Sequence, residues 1–468
     1  MITRAPATGR PGGTVFRLFY LLSYGAFRLC EGVVRLLPLS VAFAAGRAGG
    51  TVAYYLFGRR RRVAMNNLRL AFGGEKAATE LRQINREHFQ LLGANLLAGF
   101  KASRMPDEKI WARVTDNVPA DRLPPGWIAL ISHIGNWELL SHLGARFPGY
   151  RFGAIYQTLA NPYIDRYLRE SRTRSGNILF DRRTELLKCF HFLRGGGVVG
   201  LLIDQGAGYA GLWTPLFNRL TSSTTFAATL AIRTGSPVVP IAINTTGHAR
   251  WTLNISDPVF PPEEDVELFT AQINRLLENQ IRHAPADWLW SHNRWKPLRP
   301  HILFARDQRR VYFPPEFDRA TLKPFRILIV SPEAAAAATD TFPAVHAIWE
   351  GRPDNSLGVL APSSLRKLWE ENPDIGDVIP ASANSSAFSL AAALRAAGPF
   401  DAAIFFSASW RTALAVRFAG IPLRIGRRRG PISRLFNQHP AEPPVALDPV
   451  QDSLQIAHSI GANIPPRP

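Results

Sequence analysis

The residues Trp127-Ile128-Ala129-Leu130-Ile131-Ser132-His133-Ile134-Gly135-Asn136-Trp137-Glu138-Leu139-Leu140 predict a buried strand that turns at once into a helix. The apolar run at the start has the length of a strand in a sheet core. Gly135 and Asn136 then break the strand, and Asn136 is of a type that caps helices. His133 is therefore expected at the end of a strand, and Glu138 in the first turn of the next helix. In an α/β sheet, the carboxyl ends of the strands open into a crevice that suits catalysis.

The pair His133 and Glu138 has the chemistry of a general base with an orienting carboxylate. A neutral imidazole accepts a proton from a hydroxyl group near pH 7. A carboxylate on the other ring nitrogen fixes the tautomer and stabilises the imidazolium. The bare spacing of five also fits a histidine in a turn and an ordinary acidic residue at a helix start, so the spacing alone does not decide between the two interpretations.

The full string His-x-Gly-Asn-Trp-Glu after an apolar strand resembles the signature of the lysophospholipid acyltransferase superfamily, and in particular the lipid A biosynthesis lauroyl/myristoyl acyltransferase family. The similarity runs from about Val15 to Lys296 and includes Asn66-Asn67-Leu68-Arg69-Leu70-Ala71-Phe72. It ends in the string from His283 to Lys296, where the family usually has arginine in place of Asn293. The resemblance implies a mixed sheet flanked by helices, with membrane-associated helices at the N-terminus.

The same resemblance implies a reaction and its participants. A fatty acyl chain would pass from acyl carrier protein to a hydroxyl group of a lipid A-type glycolipid, with His133 as the general base and Glu138 as its orienting partner. The chemistry implies neither a cofactor nor a metal. The expected location is the inner membrane, with the catalytic domain facing the cytoplasm.

Composition favours an acidic partner and argues against nucleic acid. The chain of 468 residues has a net charge of +19, which suits an anionic membrane or an acidic carrier protein. Nucleic acid is disfavoured because no zinc-ligand spacing, recognition-helix pattern or aromatic RNA-binding string occurs. Cys30 and Cys189 are the only cysteines, so neither a disulfide framework nor a cysteine metal site is expected.

The N-terminal segment is apolar but interrupted by charges. Val15–Phe57 contains Arg17, Arg28, Glu31, Arg35 and Arg47, and Arg59–Arg62 follow it. A spanning helix needs about 20 apolar residues without central charges. Basic residues beside an apolar segment bind anionic head groups and mark the cytoplasmic side. We therefore expect a membrane anchor that either spans the bilayer once or lies at its interface.

Three further residues are candidates for substrate binding. Arg172 and Arg174 follow an Asn-Pro helix start, and guanidinium groups suit the oxygens of a phosphate or a diphosphorylated sugar. A basic helix face against lipid head groups explains these arginines equally well. Asp204 follows the apolar run Val198–Ile203 and is expected at a strand terminus, where it either orients His133 or contacts the acceptor.

The C-terminal part has a second pattern. Arg326–Val330 begins a series of strands that alternate with helices, which predicts a parallel, Rossmann-like sheet. Segments such as Asn372–Ile379 and Ala419–Gly426 resemble the N-terminal domain of the lipopolysaccharide heptosyltransferases. That family carries a Gly-Asp pair where this chain has Ala336 and Ala337, and its second Rossmann half has no counterpart here. A degenerate glycosyltransferase domain is the expectation.

The predicted architecture is an α/β chain with five segments. These are an anchoring segment (1–62), an acyltransferase domain (63–298), a linker (299–324), a heptosyltransferase-like Rossmann domain (325–437) and a Pro-rich tail (438–468). Two alternatives to the lipid A reaction remain open. One is acyl transfer to another glycolipid or a phospholipid, and the other is a non-catalytic glycolipid-binding or scaffold protein.

Overall fold

The computed structural model describes residues 14–117, 123–442 and 447–464. Residues 1–13 of the predicted anchor, and 443–446 and 465–468 of the predicted tail, lie outside the described residues. The chain divides into two compact units. The N-terminal unit comprises Met1–Phe217, Thr221–Trp295 and Tyr312–Phe317, and the C-terminal unit comprises Asn218–Leu220, Lys296–Val311 and Asp318–Pro468.

Helices surround a central sheet in the N-terminal unit. The helices are α1 (Thr14–Leu36), α2 (Leu39–Leu56), α3 (Gly58–Phe72), α4 (Ala78–Ala102), α5 (Asp107–Trp111), α6 (Leu143–Arg146), α7 (Pro162–Thr173), α8 (Leu186–Arg194), α9 (Phe226–Thr234) and α10 (Val266–His283). The strands are β1 (Val114–Asp116), β2 (Ile128–Gly135), β3 (Phe152–Tyr156), β4 (Ile178–Asp181), β5 (Val198–Leu202), β6 (Leu212–Leu216), β7 (Arg219–Ser223), β8 (Val238–Gly247) and β9 (Arg250–Ile255). The first two residues of β7 are assigned to the C-terminal unit.

The seven-stranded sheet has the order β1-β9-β8-β2-β5-β3-β4, and β6 and β7 form a separate pair. All neighbours in the large sheet are parallel except β8 and β9, which are antiparallel. The predicted mixed sheet flanked by helices is therefore confirmed. Strands β2 and β5 are neighbours near the middle of the sheet, and both are predominantly apolar and buried, as parallel strands covered on both faces should be.

Helix α2 packs on α4 through glycines. A Cβ atom at Gly46 would lie 2.3 Å from the carbonyl oxygen of Gly93, and one at Gly50 would lie 2.1 Å from that of Phe89. Only glycine permits so close an approach of two helix backbones. The apolar character of α2 thus serves in part to bury one face, with Phe43 in the core.

The structure bears on one of the two forms of N-terminal anchor that the sequence left open, the helix that spans the bilayer once. No helix within the described ranges is both long enough and apolar enough to cross a bilayer. The physical reason lies in α1 and α2. The charged side chains Arg17, Arg28, Glu31 and Arg35 interrupt α1, and α2 is short, with one face packed against the protein.

The C-terminal unit contains a five-stranded, fully parallel sheet of order β12-β11-β10-β13-β14. Its strands are β10 (Phe325–Val330), β11 (Asn355–Pro362), β12 (Ile375–Ala381), β13 (Ala402–Phe405) and β14 (Leu423–Ile425). Its helices are α11 (Ala335–Thr339), α12 (Phe342–Glu350), α13 (Arg366–Glu370), α14 (Ala387–Ala396), α15 (Trp410–Ala419) and α16 (Pro449–Ser459). The predicted parallel α/β pattern is confirmed.

Two segments predicted as linker and tail contribute to the core of this unit. Ile302 and Leu303 are fully buried, as are Ala457 and Ile460 beside the end of α16. Both segments are rich in proline or arginine overall, which hid the short apolar stretches that pack against the sheet.

Candidate active site

The candidate site begins with a contact between two neighbouring strands. His133 lies near the end of β2, and Asp204 lies two residues after β5. The strands are parallel and in register, with Ile131 opposite Leu202. Because parallel strands end at the same edge of a sheet, both side chains reach one position. The Nδ1 atom of His133 lies 2.7 Å from Oδ1 of Asp204, and the backbone NH of His133 donates to Oδ2 at 2.9 Å.

A bulge in β2 shapes the position of His133. The register with β8 shifts between Ile131 and Gly135, so that four steps along β2 match two along β8. Such bulges re-aim side chains beside functional sites. Gly135 has φ of +56°, and a Cβ atom there would lie 1.9 Å from the carbonyl oxygen of Ile243. The turn therefore requires glycine at this position.

The loop that follows α10 supports the same site. The backbone NH of Leu289 donates to the carbonyl of His133, and the NH of Gly135 donates to that of Asp287. The indole NH of Trp288 donates to Oδ2 of Asp204 at 2.8 Å. Trp288 is a site residue to which the sequence analysis gave no role. Trp288 belongs to the aromatic-rich string 283–296 that the sequence singled out, but nothing in that string indicates a hydrogen bond to Asp204.

Asp204 is 3% exposed at its side chain, and three donors use its two oxygen atoms. It is thus placed to orient His133, which is one of the two roles predicted for it. A direct contact with the acceptor, the other predicted role, does not fit this burial. With Nδ1 bound to Asp204, the Nε2 atom of His133 has no hydrogen-bond partner among the described residues, and the side chain is 14% exposed.

Burial and charge act in opposite directions on this pair. Burial alone would lower the pKa of His133, but the charge and hydrogen bond of Asp204, with a smaller effect of Glu138, raise that pKa above its usual value. Burial would raise the pKa of Asp204, whereas His133 and Trp288 hold it below its usual value. Asp204 is therefore ionised near neutral pH and stabilises the imidazolium form of His133.

The structure gives Glu138 a different partner from the predicted one. Its carboxylate binds the guanidinium of Arg172 through two contacts, Nε to Oε2 at 3.0 Å and Nη2 to Oε1 at 2.6 Å. The ring of Trp137 packs edge-on against His133, with 5.1 Å between the ring centroids. The turn after Gly135 and the 3-10 helix Trp137–His142 direct Glu138 towards α7 instead of towards Nδ1 of His133. The predicted orienting contact of Glu138 is thus made by Asp204.

The two predicted phosphate-binding arginines differ in their surroundings. Arg172 donates from Nε and Nη2 to the carboxylate of Glu138, so two of its donor nitrogens are already occupied. Arg174 is exposed and donates from Nη1 to the carbonyl of Ser103 at 3.2 Å. It lines a basic pocket together with residues of α1 and α4.

Two apolar cavities adjoin the element that carries Glu138. One lies between α1, α4 and α7, where Phe27, Phe100 and Tyr167 line it. The other lies against the sheet, where Trp137, Phe152 and Leu202 line it. Glu138 lines both. Apolar walls beside a few polar groups are typical of a site for a ligand with a hydrocarbon part.

Asn136 also lines the cavity between α1, α4 and α7. Its side chain was expected to cap a helix, but it makes no capping hydrogen bond. The residue is 2% exposed, and its Nδ2 atom has no hydrogen-bond partner among the described residues. A buried donor without a partner costs free energy, so Asn136 stands out as a group available to a ligand. Within the described ranges, no cluster of three or more His, Cys, Asp and Glu side chains is placed to hold a metal ion.

A sequence model described as bacterial lipid A biosynthesis acyltransferase matches residues 20–297, more than half of the chain. The chain belongs to this family. It is therefore an acyltransferase, and the match covers both His133 and Asp204.

Two relatives with lipid A biosynthesis in their names are similar to the same part of the chain. The lipid A biosynthesis lauroyltransferase of Escherichia coli K12 is 28% identical over 278 residues, which are 58% of this chain and 90% of the relative. The lipid A biosynthesis palmitoleoyltransferase of the same strain is 25% identical over 272 residues, which are 56% of this chain and 86% of that protein.

Two solved glycosyltransferase structures are similar to part of this acyltransferase. The ADP-heptose lipopolysaccharide heptosyltransferase II of Escherichia coli is 25% identical, with a TM-score of 0.26, over 29% of this chain and 41% of that chain. A family 9 glycosyltransferase of Veillonella parvula is 16% identical, with a TM-score of 0.27, over 30% of this chain and 41% of that chain. Heptosyltransferases are the proteins that the C-terminal residues were predicted to resemble.

Proposed function

We propose that this acyltransferase moves a fatty acyl chain from acyl carrier protein to a hydroxyl group of a lipid A-type glycolipid, with His133 as the general base. The observation that carries the proposal is the pair of His133 and Asp204. Asp204 occupies Nδ1 of His133 at 2.7 Å, which leaves Nε2 as the nitrogen that can accept a proton.

The reaction follows from that arrangement. Nε2 of His133 accepts the proton of the acceptor hydroxyl while the hydroxyl oxygen attacks the thioester carbonyl. The resulting tetrahedral intermediate then collapses, its carbon–sulfur bond breaks, and the sulfur leaves with the electron pair. The proton on His133 passes to that sulfur, so that the products are an ester and a free thiol. Asp204 stabilises the imidazolium between these two steps.

Asn136 is our candidate for stabilising the oxyanion of the intermediate. Preorganised donors at the developing negative charge often make the largest single contribution to such reactions. The Nδ2 atom of Asn136 is a buried donor without a partner among the described residues, and it follows the bulge that carries His133. The cavity that Asn136 lines has apolar walls from Phe27 and Phe100, which suit the methylene groups of an acyl chain.

Charge supports acyl carrier protein as the donor. Acyl carrier proteins are acidic, and this chain carries a net charge of +19. Opposite net charges steer the encounter of two proteins and raise their association rate at low salt.

Helix α1 supports association with the membrane interface. Leu18, Leu22, Leu29 and Leu36 are spaced by four and seven residues, so they share one helix face, and each is between 56% and 86% exposed. Such an apolar stripe, accompanied by basic residues, is typical of a helix that lies in the interface plane. The basic run Arg59–Arg62 opens α3 and suits anionic head groups. The proposed location is the inner membrane surface, with the site facing the cytoplasm.

The test is acyl transfer by the purified full-length protein, followed by mass spectrometry of the glycolipid product. His133→Ala should lower kcat by roughly a hundredfold to ten-thousandfold, because the general base is lost. His191→Ala, at an exposed histidine on α8, is the matched control and should retain activity. Near-normal turnover by His133→Ala would exclude the proposed base, and transfer to phospholipid alone would exclude the glycolipid acceptor.

A further inference from the structure

A basic pocket in the N-terminal unit lies outside the catalytic pair. It is lined by Arg35 from α1, by Lys101, Arg104 and Met105 at the end of α4, and by Arg174 just after α7, and it encloses about 330 Å³. Its described lining therefore has four cationic side chains and no carboxylate. We refer to this group as the basic pocket.

Hydrogen bonds to backbone carbonyls hold two of these four cations in place. The ammonium group of Lys101 donates to the backbone carbonyl of Arg35 at 2.5 Å, and Arg174 donates to the carbonyl of Ser103. The guanidinium of Arg104 lies 5.5 Å from the ring centroid of Tyr167. Glu31 is the carboxylate paired with Arg35, and it is 1% exposed. The Nε atom of Arg35 is buried and has no hydrogen-bond partner among the described residues.

Like charges that line one pocket repel one another unless an anion offsets them. The end of α4 accounts for part of the arrangement, because the last carbonyl groups of a helix favour nearby cations. The same effect applies to Arg35, which lies in the last turn of another helix, α1. Helix ends do not explain why the four cations line one pocket, or why the Nε atom of Arg35 has no hydrogen-bond partner among the described residues. Guanidinium and ammonium groups that converge in this way are the usual partners of phosphate oxygens.

The basic pocket lies beside the apolar cavity that Asn136 and Glu138 line. Ser103, whose carbonyl receives the hydrogen bond of Arg174, also lines the apolar cavity between α1, α4 and α7. Asn136 and Glu138 line that same cavity. The basic pocket and this cavity are thus neighbours, so a ligand that fills both would place its phosphoryl group in the basic pocket and its remaining body beside the catalytic turn.

We propose that Arg35, Lys101, Arg104 and Arg174 bind a phosphoryl group of the acceptor glycolipid. The proposal rests on the proposed function, because it takes the acceptor to be the ligand of this cavity. Of the two arginines that the sequence suggested, it retains Arg174 and replaces Arg172 by three cations from α1 and α4.

The test uses the full-length protein with Arg104→Gln and Arg174→Gln combined, since both side chains are exposed and their loss should leave folding intact. The matched control is Arg233→Gln combined with Arg250→Gln, two exposed arginines of the same unit that do not line the basic pocket. The KM is measured for a phosphorylated glycolipid acceptor and for the same acceptor after phosphatase treatment. Thermal unfolding is followed in parallel.

The pocket variant should raise the KM of the phosphorylated acceptor about tenfold or more, the typical effect of losing charge-assisted hydrogen bonds. Its KM for the dephosphorylated acceptor, its kcat and its Tm should stay close to those of the wild type, and the control should change neither KM. An equal change in both KM values, or none in either, would overturn the proposal.

Two further measurements separate the sources of a phosphoryl group. Binding of inorganic pyrophosphate is followed by ³¹P NMR, and binding to phosphatidylcholine vesicles with and without phosphatidylglycerol by sedimentation. Suppose that the pocket variant loses binding only to vesicles with phosphatidylglycerol and shows the same KM change for the phosphorylated and dephosphorylated acceptors. That result would assign the pocket to a phospholipid head group and overturn the acceptor assignment. If the wild type binds pyrophosphate and the pocket variant does not, but the wild type transfers no acyl chain, the anion site would be supported and the proposed function rejected.

Discussion

The Nδ1 atom of His133 lies 2.7 Å from Oδ1 of Asp204, although the two residues are 71 positions apart in the sequence. Asp204 is buried and also accepts hydrogen bonds from the backbone of His133 and the indole of Trp288. This arrangement fixes one tautomer of the imidazole and gives the role of orienting carboxylate to Asp204. The nearer acidic residue in the sequence, Glu138, binds Arg172.

The first prediction compares these two carboxylates. Asp204→Asn should lower kcat by on the order of a hundredfold to ten-thousandfold, because it removes the charge that stabilises the imidazolium and disturbs the tautomer. Glu138→Gln should cost less, since Glu138 makes no hydrogen bond to His133 in this structure. Steady-state rates of acyl transfer measure both. A larger loss in Glu138→Gln than in Asp204→Asn would return the orienting role to Glu138.

The second prediction concerns pH. His133 acts as a base only when neutral, and its pKa is raised above the usual value of about 6.5. The kcat/KM should therefore rise with pH through an apparent pKa above about 6.5. In Asp204→Asn, the effect of burial remains while the effect of the carboxylate is lost, so the residual activity should show a lower apparent pKa. A pH–rate profile of each protein between about pH 5 and 9 measures this, and an acid limb that does not move would contradict it.

Much of the architecture was predictable because single residues carried strong local signals. Apolar runs bounded by glycine and proline predicted strands close to β2, β5 and β10, and the motif around His133 indicated the family. The choice between Glu138 and Asp204 as the orienting partner was harder to predict, because it depends on β2 and β5 being neighbours. Strand order is set by packing across the whole sheet, and no local pattern encodes it.

The N-terminal helices show a different limit of sequence-based prediction. Apolar residues in α2 are equally suited to lipid and to a neighbouring helix. The close contacts of Gly46 and Gly50 with α4 show that one face of α2 packs on a neighbouring helix, and only the folded chain displays these contacts. Likewise, the surface charge of Arg174 was visible in the sequence, whereas the convergence of Arg35 and Lys101 on the same pocket was not.

The third prediction tests Asn136 as the oxyanion donor. Asn136→Ala should lower kcat by on the order of a hundredfold to a thousandfold with little change in KM, because the donor acts in the transition state. The Tm should change little, since the Nδ2 atom has no partner to lose among the described residues. Single-turnover kinetics with acyl carrier protein as donor separate the chemical step from binding. A variant that changes KM alone would show that Asn136 binds the ground state instead.

The fourth prediction concerns helix α1. Leu22→Asp combined with Leu29→Asp should weaken binding to anionic vesicles about tenfold or more, because two exposed leucines of one helix face would no longer enter the interface. Leu187→Asp is the matched control, since this leucine is 70% exposed but lies on α8. Vesicle sedimentation at low and high salt separates apolar from electrostatic binding. Equal losses in both variants would remove the special role of α1.

The last prediction is that the C-terminal unit does not transfer sugars. An activated acceptor hydroxyl requires a residue that takes its proton. Ala336 and Ala337 occupy the expected position and lie in α11, where their methyl groups can neither accept a proton nor bind phosphate. The full-length protein, incubated with an ADP-sugar and a lipid A-type acceptor, should release no ADP, while an active heptosyltransferase run in parallel should do so. Ala337→Asp should not restore release, because a single proton acceptor does not by itself supply the contacts that bind and orient a nucleotide sugar. Release of ADP by the unaltered protein would instead identify a second active site in this unit.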